Sequence, residues 1–170
     1  MIKSWHLYLV TAGAILLSAP PQVVATPGGD TSRRVYEAAL TFVGKTTAEA
    51  KSWVDPSVSC AAVTSNILEA GGAQVPKHAA VVTDGGLVKN LMDKGWKFIP
   101  RAQAVPGDIV FHNQTPGSHG KQHIGTCSNI GCTTAINTKG GRVANDNYPE
   151  RYKQFIDRGS PYGGVLRAPN

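Results

Sequence analysis

The stretch "DPSVSCAAVTSNILEAGG", Asp55 to Gly72, carries a cysteine where a helix should begin. Pro56 pushes the residue before it out of the helical region, so any earlier helix ends there. Ser57 or Ser59 offers a side-chain oxygen to the first free amides. Val63, Ile67 and Ala70 then share one face at helical spacing, and Gly71-Gly72 stops the run. Cys60 falls in the first turn. The helix dipole and unpaired N–H groups there favour an anion, and such positions can lower a thiol pKa from about 8.5 to roughly 3.5–7.5.

What a thiol does depends on its compartment. Lys3 near the amino terminus, the apolar run Leu7–Leu17 and the small-residue pattern Val23-Val24-Ala25 form the layout of a cleaved secretory leader over residues 1–25. The apolar run is short for a membrane span, and no later segment is long and apolar enough to be one. Residues 26–170 suffice for one compact domain and are too few for two ordinary ones. Loss of Lys3 takes the formal charge from +6 to +5, a balance suited to an anionic surface such as a bacterial wall. Scattered basic residues, 7% aromatics and no finger or ribonucleoprotein motif argue against nucleic acid. The expectation is a secreted or periplasmic monomer without stable membrane insertion.

Around the cysteine helix, Asp30, Thr31 or Ser32 caps an earlier helix bearing Val35, Ala38, Ala39 and Phe42, which Gly44 stops. Lys45 to Trp53 reads as a further helical turn or two. Thr83 or Asp84 to Lys94 reads as another helix, ended by Gly95. The pattern then changes to short apolar pieces between Gly, Pro and Asn: 96–99, 108–111, 123–126, 133–137 and 164–166. A late helix over 148–157 would cover them. Helices followed by strands predict an α+β domain with a mostly antiparallel sheet.

Three cysteines in an oxidising compartment leave one over. Cys127 and Cys132 bracket the turn-like Ser128-Asn129-Ile130-Gly131 and could close a small disulfide across a hairpin, which leaves Cys60 free. The alternatives are Cys60 paired with one of them, or an inert core thiol. A free nucleophilic cysteine needs a base. His6 leaves with the leader, so the candidates are His78, His112, His119 and His123. His123 opens the strand-like "HIGTC" and is the best placed, whereas His78 and His112 read as surface histidines without a role. If the hairpin turns near residue 130, a two-by-two count sets Asn137 opposite His123, where its amide could orient the imidazole. A turn-forming Asn137 is the simpler alternative. His119 and His123 are four apart, but the glycines between and after them oppose a helix and no H-E-x-x-H motif occurs, so no metal or other cofactor is expected. Gly107 and Asp108 read as a turn into a strand.

The order of these pieces, "SCAAVTSNIL", then "PGDIVF", then "HIG" and a polar residue on the next strand, resembles the papain-like peptidoglycan hydrolases of the NlpC and CHAP type over about Val35 to Val143. The resemblance implies a cysteine helix packed on an antiparallel sheet, with Cys60 as nucleophile, His123 as base and Asn137 as orienter. It implies hydrolysis of amide bonds in bacterial peptidoglycan peptides, by an endopeptidase or an N-acetylmuramoyl-L-alanine amidase. A catalytically inactive wall-binding domain and a transacylase or deamidase using the same thiol are the alternatives. Ser59 stands where that pattern usually has an aspartate, and the "CSNIGC" hairpin lies outside the general pattern.

Overall fold

The computed structural model describes residues 29–82, 85–115 and 121–169. The leader, the start of the helix expected from 83 or 84, and His119 lie outside the described residues. Three helices come first: α1 (Gly29–Phe42), α2 (Cys60–Ala70) and α3 (Leu87–Asp93). Strands β1 (Lys97–Ile99), β2 (Ile109–Asn113), β3 (Gln122–Cys127), β4 (Ala135–Lys139) and β5 (Arg142–Asp146) follow. Short helices α4 (Tyr148–Arg151) and α5 (Lys153–Ile156) precede β6 (Gly163–Arg167). One antiparallel sheet results, ordered β1-β6-β2-β3-β4-β5.

Both faces of this sheet are covered, which is why β2 is buried along its whole length. Ile109, Phe111, Ile124 and Ile136 face the core shared with α1, α2 and α3. On the other face Val110, Val165, Ala135 and the Cys127–Cys132 disulfide pack with Tyr148 and Ile156. Helix α2 lies between α1 and the sheet, and every residue from Cys60 to Leu68 is buried. Its small residues Ala61 and Ala62 suit a helix that meets neighbours on several sides rather than along one stripe.

The turn into β2 does more than reverse the chain. Asp108 is 0% exposed and takes Arg167 as its ion partner, Nη2 to Oδ2 at 2.8 Å and Nε to Oδ1 at 3.2 Å. Ser32 Oγ donates to Oδ1 at 3.2 Å and the Val105 amide to Oδ2 at 2.9 Å. One carboxylate thus joins α1, the turn and β6. Gly107 has φ +94°, and a Cβ there would lie 1.8 Å from the Ser32 carbonyl oxygen, so only glycine lets α1 approach this closely.

Three expected elements differ and one strand is additional. Lys45 to Trp53 forms turns instead of helix, because the Gly44 and Thr47 amides donate to Val143 and Gly141 and the Lys45 carbonyl accepts from Val143, strapping this segment to the start of β5. Strand β5 was not expected: on this edge strand only Val143 is fully buried, so its apolar signal is weak. The strand expected from Thr133 begins at Ala135, since Asn129 Oδ1 accepts the amides of Thr133 and Thr134. The late helix breaks at Tyr152 into α4 and α5.

Removing one partner of a buried ion pair leaves the other uncompensated. Asp108→Ala is therefore expected to lower the free energy of urea unfolding by about 3 kcal/mol. A loss below about 1 kcal/mol, the scale of an exposed pair, would contradict the anchoring role.

Candidate active site

The chain enters α2 through a short 3-10 turn, Pro56–Val58. Asp55 builds that turn: its Oδ1 accepts the Ser57 amide at 2.8 Å and the Ser57 hydroxyl at 2.6 Å. Ser59 Oγ donates back to the Pro56 carbonyl at 2.8 Å, and α2 has no side-chain cap. The expected capping by Ser57 or Ser59 is absent because both hydroxyls are spent upstream. Cys60 is the first residue of α2, free of any disulfide and 8% exposed.

Burial pushes the Cys60 thiol above its ordinary value, against the opposing pull of the backbone N–H groups of Ile124, Ala61 and Cys60 itself. The helix start acts in the expected direction, but desolvation of the anion outweighs it. The Ile124 contact also locates the sulfur. It meets β3 at the residue after His123.

On β3, His123 is the ladder partner of His112 on β2. Between β3 and β4 the ladder pairs Thr126 with Ile136 and Cys127 with Ala135, two residues away from the symmetrical count about residue 130. Continued, this register sets Asn137 across from Gly125 rather than His123. Asn137 reaches His123 diagonally, Oδ1 to Nε2 at 2.9 Å. Gly125 makes the diagonal available: a Cβ there would lie 2.9 Å from Asn137 Cβ and 2.7 Å from the Ile136 carbonyl oxygen.

Two residues that the sequence reading missed complete the cluster. Asp146 Oδ1 accepts Asn137 Nδ2 at 2.9 Å and the Tyr148 amide at 3.0 Å, while its Oδ2 pairs with Arg151 at 2.8 Å and Lys139 at 3.1 Å. Tyr148 is buried, donates its hydroxyl to the Val110 carbonyl at 3.1 Å and stands edge-on to His123 with ring centroids 4.8 Å apart. Its phenol is raised well above the usual value by burial and, next, by the charge of Cys60, so it borders both groups. In the sequence Tyr148 reads only as the start of the late helix, and Asp146 is revealed by its pairing with Ala135 on β4. Burial lowers the His123 imidazole, and Asn137 and Asp146 work in the opposite direction.

His112 is 3% exposed, which corrects its reading as a surface histidine. It stacks on Tyr152 with centroids 4.0 Å apart and planes 9° from parallel, and neither ring nitrogen has a partner among the described residues. Burial, then the neighbouring His123, takes its pKa down to about 4. His78 lies elsewhere, its amide bonded to Ser65 Oγ on α2. A cavity of about 540 Å³ is walled by His112, His123, Asn137 and Tyr148, and its charged walls among the described residues are Lys121, Lys139 and Arg151, all cationic.

A histidine kept neutral by folding links stability to pH. The His112 value falls from 6.5 to about 4, so the unfolded chain takes up this proton first as pH drops. Its contribution is complete above pH 6.5 and is lost between there and about pH 4. His123 is shifted in the same direction. The urea midpoint should fall across this window and fall less in His112→Phe, which keeps the stack on Tyr152; an equal fall in both proteins would contradict it.

No family model matches the sequence, and no curated protein matches it. Among solved structures, the chain is similar to one described as similar to lipoprotein, NLP/P60 family, from Staphylococcus aureus. The TM-score is 0.52 at 17% sequence identity, and the match covers 88% of this chain and 45% of that one. The likeness is one of fold: a helical amino-terminal part on an antiparallel sheet, α+β, as in that NLP/P60 structure.

Proposed function

We propose that this protein hydrolyses amide bonds in the peptides of bacterial peptidoglycan, with Cys60 as nucleophile, His123 as base and Asn137 as the group that orients the imidazole. The observation that carries the reading is the meeting of an unpaired cysteine, first in its helix, with the strand that holds the His123–Asn137 pair. Similarity of fold to an NLP/P60 structure supports it. The cationic cavity walls and the charge of +5 that remains without Lys3 suit an anionic wall. The Cys127–Cys132 disulfide suits the oxidising compartment to which a leader over 1–25 would send residues 26–170 as one domain.

The shifts of both groups favour a neutral thiol beside a neutral imidazole at rest, since Cys60 is raised and His123 lowered. His123 then takes the thiol proton as sulfur attacks the scissile carbonyl. The oxyanion is held by backbone N–H groups at the start of α2. Collapse breaks the C–N bond, the leaving nitrogen takes the proton from His123, and the acyl group stays on sulfur as a thioester. Water, deprotonated by His123, releases the acid and restores the thiol. Both cleavages free one amino and one carboxyl group; a cut within the peptides reports an endopeptidase, and release of the stem peptide from muramic acid with a new alanine amino terminus reports an amidase.

Burial of Cys60 is the observation that favours a second reading, a wall-binding domain of the same fold without turnover. Incubation of purified peptidoglycan with the wild type and with Cys60→Ala separates the two. Hydrolysis predicts release of new amino or carboxyl groups that the variant lacks, at least about 10³-fold down, with thermal melting little changed. Retention on the wall with no release by either protein would support the binding domain. A kcat/KM profile adds a sign: a base lowered by burial gives an acid limb below pH 6.5. An acid limb above that value would contradict the neutral pair.

A further inference from the structure

We infer that Asp146 is a positioning residue for this site: by holding one end of the Asn137 amide, it decides which nitrogen of His123 carries the proton. The inference rests on the proposed roles of Cys60 and His123.

A side-chain amide has a donor end and an acceptor end that differ little in shape, so its neighbours determine which way it faces. Two acceptors meet one end of Asn137: the Ala135 carbonyl at 3.0 Å and Asp146 Oδ1 at 2.9 Å. Only an NH2 group satisfies both. The other end is therefore the carbonyl oxygen, and it faces His123 Nε2 at 2.9 Å. An acceptor there requires a proton on Nε2. In the neutral ring the lone pair is then on Nδ1, the nitrogen left to serve as base.

The Ala135 carbonyl could instead be left to water or lost at modest cost, but Asp146 raises the penalty for a flip. A reversed amide would set its oxygen against a carboxylate that is nearly buried, with a side chain 13% exposed. The carboxylate is itself held in place. Lys139 from β4 and Arg151 from α4 pair with Oδ2, and the Tyr148 amide at the start of α4 donates to Oδ1. Burial works to raise its pKa, yet the hydrogen bonds from Asn137, Lys139 and the Tyr148 amide prevail and keep it below the ordinary carboxylate value. The charge stays on. Asp146 faces Ala135 in the β4–β5 ladder, and Asn137 is two residues along β4, so sheet register brings the two side chains to one face.

Nitrogen-15 NMR of the ring, above pH 7, reads the tautomer directly and needs no substrate. The wild type should show a protonated Nε2 and an unprotonated Nδ1 at His123. In Asp146→Ala the amide is free to turn, and a sizeable share of the Nδ1–H tautomer should appear. With substrate, kcat should fall at least tenfold and at most by the roughly 10⁴-fold that a wrong tautomer costs a serine triad, with KM within about twofold. The exchanged pair Asn137→Asp with Asp146→Asn covers the case in which Asp146→Ala fails to fold. It recreates an acceptor facing His123 and a donor–acceptor bond between the two strands, so it should recover the Nε2–H tautomer and most of the kcat that Asn137→Asp alone loses. A folded Asp146→Ala with an unchanged tautomer, or an exchanged pair no better than Asn137→Asp alone, would overturn the inference. If the wild type shows the expected tautomer but releases nothing from peptidoglycan, the proposed function fails and the positioning stands.

Discussion

The site depends on the place where β3 and β4 part. Their ladder pairs Thr126 with Ile136 and Cys127 with Ala135, while β2 and β3 are paired from Ile109 with Thr126 through to Asn113 with Gln122. At the parting stands Gly125, whose absent side chain lets Asn137 cross to His123. One residue before it, the Ile124 amide is turned to the Cys60 sulfur. A continuous ladder would consume that amide, and a side chain at 125 would displace Asn137. A backbone defect and a missing methyl group thus bring together a helix start from one layer and a histidine from the sheet.

Burial then sets the chemistry. Desolvation opposes the thiolate at Cys60 and the imidazolium at His123, which favours the neutral forms of both groups. In the proposed mechanism charge appears only as sulfur attacks, where backbone amides and the dipole of α2 already point. Tyr148, against both groups, and His112, stacked on Tyr152, extend this low-dielectric surface over the α4–α5 side of the sheet. Neutral buried aromatic groups favour water exclusion over fixed charge.

Much of this was legible in the residues. A cysteine after a proline and two serines, followed by apolar positions at helical spacing, placed α2 with Cys60 in its first turn. The strand-like "HIGTC" placed His123 near a strand's start, and a symmetrical count picked out Asn137, although the true register is two residues away and the bond is diagonal. A turn that keeps Asn129 bonded to both Thr133 and Thr134 carries that two-residue shift, and nothing local to His123 or Asn137 records it. Asp146 was hidden because β5 is an edge strand with one fully buried residue, and Tyr148 because it reads only as the start of a covering helix. His112 was misjudged because the elements that bury it, α4 and α5, arrive long after it in the chain.

The most direct test of the central claim is a titration of activity against alkylation of Cys60. Peptide mapping by mass spectrometry would follow carbamidomethylation of the non-reduced protein, in which Cys127 and Cys132 are protected as a disulfide. Release of amino groups from purified peptidoglycan would be measured at each point. The account predicts that release falls in proportion to the fraction of Cys60 modified and reaches zero at full modification. Undiminished release by fully alkylated protein, or none by the unmodified protein, would contradict it.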